Sequence, residues 1–323
     1  DHLFLGYKSL NKKNLTYYNK IYSLESSTNI KINLKLKITK KKYWNPKLEV
    51  DKKISKYDAI EGIKYHLINS VKYRLRADVP LAFCLSGGID SSLLASIARK
   101  KLNQEISTFS IIDSDPRYNE EENINIINKE LKSNSNLIKL KKKKNFFDRM
   151  KNLVNQHDGP LATLSYYIHS FLTEQISKQG YKVSISGTGA DEIFTGYYDH
   201  HLLFFQTTRK SKDFAKNLAM WRKYVLPNIR NENLKNPYSY INNKYDRSIV
   251  YEKNYNLFDY SLTKSKSNFK EKYFCHELMR NRMLNELFYE VVPVILKHDD
   301  LNSMYYSIEN RSPYLDRDLI EFS

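Results

Sequence analysis

The spacing of apolar residues changes near residue 50. Between residues 30 and 38 an isoleucine or leucine occupies every second position, with lysine or asparagine between them. This alternation predicts a half-buried antiparallel hairpin element, with one apolar and one charged face, within short strands over residues 21 to 44. Asn45-Pro46 and a charged stretch follow. We interpret them as a linker, with a domain boundary near residue 50.

Beyond this linker, patterns typical of helices and strands alternate. Apolar runs predict strands at residues 79 to 85, 105 to 112, 136 to 140 and 181 to 186. Apolar residues three to four positions apart predict helices at residues 54 to 76, 91 to 101, 121 to 131, 145 to 156 and 165 to 178. This alternation predicts an α/β fold with a doubly wound parallel sheet, which binds ligands at the carboxyl ends of its strands. After residue 192 the pattern is mostly helical.

Composition limits the class of protein. The chain has 323 residues, of which 41% are hydrophobic, so it can bury a sizeable core. No run approaches the eighteen apolar residues of a membrane span, and residues 1 to 6 lack the features of a signal peptide. Cys84 and Cys275 are too few for a disulfide framework. We therefore expect a cytoplasmic protein with no membrane partner.

The net charge of +17 raises the question of nucleic-acid binding. Lysine is dense only at residues 40 to 42 and 141 to 144, and each run follows an apolar stretch, as the solvated end of a strand would. The excess of lysine also accompanies an excess of Asn, Ile and Tyr, which is typical of a biased composition. We expect no nucleic-acid partner.

A glycine turn after the first predicted parallel strand carries the strongest chemical signal. It reads Ser86-Gly87-Gly88-Ile89-Asp90-Ser91-Ser92 and opens onto a predicted helix. Free N–H groups at a helix N-terminus favour phosphate, and glycines let the backbone approach it closely. A carboxylate at Asp90 then fits a Mg²⁺ ligand beside a polyphosphate. The structural alternative is an ordinary turn in which Asp90 or Ser91 caps the helix.

A second glycine turn follows the predicted strand at residues 181 to 186. It reads Ser186-Gly187-Thr188-Gly189-Ala190-Asp191-Glu192. If the two turns face each other across one sheet, Asp90 and Asp191 converge on one Mg²⁺. Capping of a helix by Asp191 or Glu192 is the alternative.

Neither turn has the Walker pattern of ATPases and GTPases. The first turn resembles the pyrophosphate (PP) loop of ATP pyrophosphatases, which cleave ATP between its α and β phosphates. Segments 85 to 92, 186 to 197, 303 to 304 and 308 to 316 resemble, in order and approximate spacing, the motifs of glutamine-dependent asparagine synthetases. The resemblance covers residues 53 to 323, and residues 21 to 44 resemble the closing strands of the family's N-terminal glutaminase domain. It implies an adenine nucleotide α-hydrolase-like synthetase domain at 51 to 323, shortened at its C-terminus, after a glutaminase remnant at 1 to 50.

The resemblance implies a reaction and roles for particular residues. The side-chain carboxylate of aspartate would be adenylated by ATP with Mg²⁺, and ammonia from glutamine would then form asparagine, in a protein that could be a homodimer. Glu309 and Asp191 would be catalytic, Thr188 and Arg311 would bind the substrate, and Asp90 and Asp191 would bind the metal. ATP and pyrophosphate would be bound by Cys84, Ser86, Gly87, Gly88, Asp90, Ser91, Ser92, Ile111, Ser186 and Gly187, with Ile111 near the adenine.

Three departures from the family pattern leave alternatives open. Thr188 stands where asparagine synthetases usually carry an acidic residue, so another carboxylate, such as a nucleotide-sugar uronic acid, is an alternative substrate. The family's N-terminal cysteine nucleophile is not in this sequence, which resembles a piece lacking most of the glutaminase domain. A cysteine at position two of the parent protein would establish glutamine as the nitrogen source, and its absence there would favour free ammonia. A lysine of the family lies further along than the chain runs. A non-catalytic ATP-binding relative is a further alternative. Glu309 and Arg311 could also form only a local ion pair at a helix end.

Overall fold

The computed structural model describes residues 6–9, 14–46, 50–51, 53–116, 118–140, 145–245 and 270–323. Its strands are β1 (Thr28–Ile32), β2 (Ile38–Lys42), β3 (Leu81–Cys84), β4 (Ser107–Ile112), β5 (Asn134–Lys139), β6 (Val183–Ile185) and β7 (Glu309–Arg311). Its helices are α1 (Lys56–Arg74), α2 (Ile89–Ser96), α3 (Glu121–Leu131), α4 (Phe146–His157), α5 (Ser165–Lys178), α6 (Ala190–Phe194), α7 (Tyr198–Thr208), α8 (Phe214–Tyr224), α9 (Ser239–Asn242), α10 (Leu278–Asn285), α11 (Val292–Tyr305) and α12 (Arg317–Phe322). Two helices continue into π-helical turns, α2 at Ile97–Lys101 and α10 at Glu286–Glu290.

The predicted parallel sheet is confirmed. Five parallel strands lie in the order β5-β4-β3-β6-β7, with β3 in the centre. The chain runs outward from β3 to β4 and β5 on one side and to β6 and β7 on the other. The sheet therefore has its topological switch point between β3 and β6, where a ligand is expected beyond the strand ends.

The main core lies where helices cover this sheet. Phe83 of β3 and Ile185 of β6 pack with Leu94 of α2 and with Leu67 and Val71 of α1, and each is at most 3% exposed. A separate helical cluster around Leu202, Phe205 and Trp221 confirms the predicted helical character of the later chain. Packing of apolar helix faces therefore holds β3 and β6 at fixed positions.

The hairpin differs from its prediction. β1 and β2 are antiparallel, with Ile32 opposite Ile38, so the alternating run of residues 30 to 38 contains the turn rather than one strand. The Asn33 side chain accepts hydrogen bonds from the backbone N–H groups of Lys35 (3.0 Å) and Lys37 (2.9 Å), which closes this turn. The expectation that the hairpin is half-buried is wrong, because both strands are exposed along most of their length.

Some predictions fall on residues that are not described or are not tested. The lysine run at 141–144 and residues 47–49 and 52 of the predicted linker lie outside the described residues. The division at residue 50 stays a prediction. Within the described part of the chain, no helix combines the length and the apolar character needed to cross a bilayer.

Candidate ATP and substrate site

The first glycine turn leads directly from β3 into α2. Gly87 has a φ of +82°, a conformation that side chains rarely adopt, and Gly88 is the N-cap of a helix that begins at Ile89. The interpretation in which Asp90 or Ser91 caps the helix is wrong, because both lie inside its first turn. The Ser91 hydroxyl instead accepts a hydrogen bond from the backbone N–H of Ser86 at 3.1 Å. Because Gly88 offers no side-chain cap, the helix N-terminus is suited to an anion.

The second glycine turn lies against the first. A Cβ atom on Gly187 would lie 3.2 Å from both the Cβ of Asp90 and the backbone N of Ser91. The N-cap of α6 is Gly189, at a φ of +99°, so neither Asp191 nor Glu192 caps that helix. The two turns are thus in contact at the switch point, with Asp90 and Asp191 in the first turns of their helices.

The two carboxylates share one electrostatic environment. Burial raises the pKa of the Asp90 carboxyl. Burial, and next the negative charge of Asp90, raises the pKa of Asp191. Two carboxylates that are partly desolvated and repel each other are the donor set that a hard divalent cation stabilises. The residues present therefore fit Mg²⁺ together with a polyphosphate at the uncapped end of α2.

A cavity of about 660 Å³ opens at this edge of the sheet. Its size lies in the range usual for small-molecule sites. Of the predicted site residues, the structure brings to its wall Cys84, Ser86, Asp90, Ser91, Ile111, Ser186, Gly187, Thr188 and Asp191. Gly87 instead packs towards α3, and the Ser92 hydroxyl donates to the carbonyl of Gly88 at 2.6 Å. Burial raises the pKa of the Cys84 thiol to about 12, so it stays protonated in the wall.

The third motif contacts the first turn but does not direct Glu309 into the cavity. The Tyr314 hydroxyl donates to the backbone carbonyl of Asp90 at 3.0 Å. In β7, Arg311 donates to the Glu309 carboxylate at 2.7 Å and to the carbonyls of Arg74 and Arg76. The Glu309 side chain is 60% exposed. The structure therefore shows the local ion pair, on an edge strand rather than a helix end. The backbone carbonyl of Arg311 accepts a hydrogen bond from the N–H of Ser186 at 3.0 Å, but neither Glu309 nor Arg311 lines the cavity.

Asn310, between these two residues, lines the cavity instead. Successive side chains of a strand point to opposite faces, so Asn310 faces the site when Glu309 and Arg311 face away. Its side-chain oxygen accepts a hydrogen bond from the Ser184 hydroxyl at 3.1 Å. Alternation within the motif is the sequence signal that could have identified it.

Glu309→Gln is expected to change the rate of amide formation by less than about fivefold, because an exposed ion pair contributes little. Asn310→Ala is expected to reduce that rate by about tenfold or more, since it leaves a part-buried hydroxyl without its partner. Steady-state kinetics of both variants measures the difference. A large loss in Glu309→Gln with a near-normal Asn310→Ala would restore the catalytic role of Glu309.

The asparagine synthase family model matches residues 62–323, well over half of the chain. The chain belongs to the asparagine synthase family.

Two curated relatives illustrate the range of the family. Amidase chyE from Penicillium rubens is 32% identical over 177 residues, 49% of this chain and 26% of that protein. Asparagine synthetase (glutamine-hydrolyzing) 1 from Bacillus subtilis is 30% identical over 141 residues, 43% of this chain and 21% of that protein. The matches thus span about a quarter of these relatives' lengths.

Among solved structures, this chain is similar to the U34-tRNA thiolase NcsA from Methanococcus maripaludis. The alignment covers 78% of this chain and 79% of the thiolase chain. The identity is 13% and the TM-score is 0.32, too loose a superposition for a functional comparison.

Acidic residues that sequence reasoning missed also line the cavity. Besides Asp90 and Asp191, its wall contains Asp113, Glu120, Glu192 and Asp299, and none of its described residues is a lysine or arginine. Asp113 directly follows β4, a position at which a site residue is expected. The carboxylate of Asp299, in α11, lies 3.6 Å from Nδ1 of His169. Neither residue lies in a local sequence pattern that predicts a site. In this member of the asparagine synthase family, the described wall of the cavity is acidic.

Thr188 lies on the cavity wall with its hydroxyl 3.1 Å from that of Ser186. The two hydroxyls can donate or accept but carry no charge at neutral pH. The negative charge of the wall therefore comes from acidic groups at other positions.

Glu192 provides a test of the electrostatics of this wall. Burial raises its pKa from 4.5 to about 7, although a hydrogen bond from Tyr197 opposes this. A raised folded-state pKa means that the free energy of unfolding falls as the pH rises from about 4.5 to about 7 and is then constant. Glu192→Gln is therefore expected to be more stable than the wild type at pH 8, by up to about 3 kcal/mol, and the gain should shrink towards pH 4.5.

Urea denaturation of the metal-free protein across this pH range measures the effect. Glu232→Gln, on an exposed side chain, is the matched control and should show no such trend. A Glu192→Gln protein that is less stable than the wild type at pH 8 would contradict the prediction.

Proposed function

We propose that this protein forms an amide from a carboxylate and ammonia while ATP is cleaved to AMP and pyrophosphate, with aspartate as the carboxylate and asparagine as the product. The contact between the two glycine turns carries this proposal, since it brings Asp90 and Asp191 to one cavity. Family membership supports the class of reaction.

Different residues bind the phosphates, the metal ion and the adenine of ATP. The uncapped N-terminus of α2 and the glycine backbones bind the phosphates of ATP. Asp90 and Asp191 would hold Mg²⁺, which supplies charge neutralisation on the phosphate oxygens. The wall around Ile111 offers an apolar surface for adenine.

With ATP so held, a carboxylate oxygen of the substrate attacks the α-phosphorus, and the bond to the bridging oxygen breaks to release pyrophosphate. Ammonia then attacks the activated carbonyl carbon, AMP leaves with the bonding electron pair, and a proton is lost from nitrogen. A free carboxylate is a poor electrophile, so activation must come first.

The charge of the cavity bears on the carboxylate substrate. Its acidic residues attract an ammonium group, and aspartate has one beside its α-carboxylate, apart from the side-chain carboxylate that reacts. A nucleotide-sugar uronic acid would bring two further phosphate charges to a wall whose described residues include no lysine or arginine. Thr188 is the observation that favours the second substrate, because its uncharged hydroxyl does not repel a uronic carboxylate and does not attract an ammonium group.

ATP–pyrophosphate exchange tests the proposal on the chain as it exists. Aspartate should stimulate Mg²⁺-dependent exchange, and asparagine should form when ammonium chloride is added. Exchange stimulated by a nucleotide-sugar uronic acid and not by aspartate would assign the alternative substrate. Magnesium-dependent ATP binding without exchange would indicate a non-catalytic relative, and parallel assays with glutamine and ammonium identify the nitrogen source.

A further inference from the structure

A buried polar cluster lies behind Asp191, away from the cavity. Asp199 and His200 of α7 and Glu286 at the start of the π-helical turn are each at most 4% exposed. Their ligand atoms lie within 4.8 Å of one another, a composition and spacing that could hold a metal ion.

The hydrogen bonds of the cluster argue against a metal. The backbone N–H of Gly196 donates to Nδ1 of His200 at 3.2 Å, so the neutral imidazole carries its proton on Nε2. That nitrogen lies 2.8 Å from Oε2 of Glu286, to which it donates. Neither ring nitrogen has a lone pair left for a cation. Arg282 also donates to Asp199 at 2.7 Å, which places a positive charge in the cluster.

The glycine held by His200 lies directly against Asp191. A Cβ atom on Gly196 would overlap Oδ1 of Asp191 and lie 2.6 Å from its Cγ. The backbone of Gly196 therefore forms one wall of the space that the carboxylate occupies.

The segment before Gly196 is strained. Thr195 has a φ of +66°, a conformation that is a clear outlier for a β-branched residue. Strain of this kind persists only where surrounding contacts maintain it. The hydrogen bond from Gly196 to His200 is such a contact, one residue further along the chain.

Glu286 holds the His200 ring through its second nitrogen, Nε2. It is fully buried, and its Oε1 has no hydrogen-bond partner among the described residues. Among the described residues, the carboxylate exchanges its hydration for a single hydrogen bond, to His200. Burial on these terms costs free energy. We therefore take holding His200 to be the role of this carboxylate. A π-helical turn, a feature often found at functional sites, presents it.

We propose that Glu286 and His200 are positioning residues, which fix the Gly196 backbone and through it the orientation in which the Asp191 carboxylate binds the divalent cation of ATP. The inference rests on the proposed function, because it takes Asp191 as a metal ligand. The arrangement resembles the outer hydrogen bonds that orient the ligands of metal sites in general.

Three variants separate this role from a general role in packing. His200→Gln can still reach Glu286 but lacks an acceptor at the Nδ1 position. His200→Asn places its side-chain oxygen near the Nδ1 position and keeps the acceptor for Gly196. His201→Gln changes the adjacent, less buried histidine and is the matched control.

The primary measurement is the Mg²⁺ concentration at half-saturation for binding of a non-hydrolysable ATP analogue, obtained by calorimetry. His200→Gln should raise it about tenfold, as loss of an outer hydrogen bond commonly does. His200→Asn and His201→Gln should stay close to the wild type. Hydrogen exchange of the peptide that contains residues 195–197 should be faster only in His200→Gln, even without nucleotide.

If part of a variant is misfolded, the total binding signal falls, but the Mg²⁺ concentration at half-saturation of the folded part does not change. A variant that folds only partly can therefore still be used in this test. Glu286→Gln supplies a second test and should shift the midpoint in the same direction by a smaller factor. Unchanged midpoints in both His200→Gln and Glu286→Gln would overturn the inference. Failure of the wild type to bind the analogue with Mg²⁺ would instead refute the proposed function, and hydrogen exchange would still test the bond to Gly196.

Discussion

Asp90→Asn is expected to lose ATP–pyrophosphate exchange by roughly 10³-fold while the protein stays folded, because it removes one of two carboxylates that face the phosphates. The reason that the fold survives lies in the pKa of this group. Burial raises the pKa of Asp90, so the ionised form of this carboxyl is the less favourable one in the folded protein. A neutral amide of the same shape should therefore cost little stability. Exchange kinetics and thermal denaturation measure the two effects.

Asp78→Asn is the matched control, since Asp78 is an exposed aspartate close to the start of β3. It should leave both exchange and melting temperature unchanged. Wild-type exchange in Asp90→Asn would refute the role of Asp90 in Mg–ATP binding. A large fall in melting temperature would instead show that the carboxylate supports the fold.

Gly196→Ala is expected to fold normally and to lose exchange by about 10²-fold, because its methyl group would take the space of the Asp191 carboxylate. The nearest atom to the added carbon belongs to a side chain that can rotate, so the backbone need not move. Rotation relieves the overlap but turns the carboxylate from its metal-binding orientation. The Mg²⁺ dependence of nucleotide binding should shift with the loss of activity.

Gly62→Ala is the matched control for Gly196→Ala. Its methyl group would overlap the ring of Phe322, another side chain that can move, and neither residue lines the cavity, so we expect a folded protein with an unchanged Mg²⁺ requirement. If Gly196→Ala behaved like Gly62→Ala, the proposed packing of Gly196 against a metal ligand would be wrong.

The parallel sheet was open to prediction because its central strands are short apolar runs, each followed by a helix with its own period. The two glycine turns were equally visible, since they follow β3 and β6 in sequence as well as in space. β7 was not, because Glu309, Asn310 and Arg311 form an edge strand without a single apolar residue. A three-residue polar strand takes its structure from β6 and not from its own composition.

The hairpin shows how a correct period can mislead. Alternation at residues 30 to 38 is real, but the Asn33 side chain closes a turn in its middle, and Leu36 adopts a φ of +58°. The hydrogen bond between His200 and Glu286 could not be predicted from the sequence, for a different reason. The two residues are 86 positions apart, and neither lies in a pattern that points to the other.

The contact between Tyr314 and Asp90 joins residues 224 positions apart. A ribosome adding about 5–20 residues per second takes on the order of ten to forty seconds to make that interval. During synthesis, the nucleotide loop therefore emerges long before the tyrosine that supports it, and before β7 completes the sheet edge. A nascent chain therefore holds the first glycine turn without this hydrogen bond until residue 314 has been made.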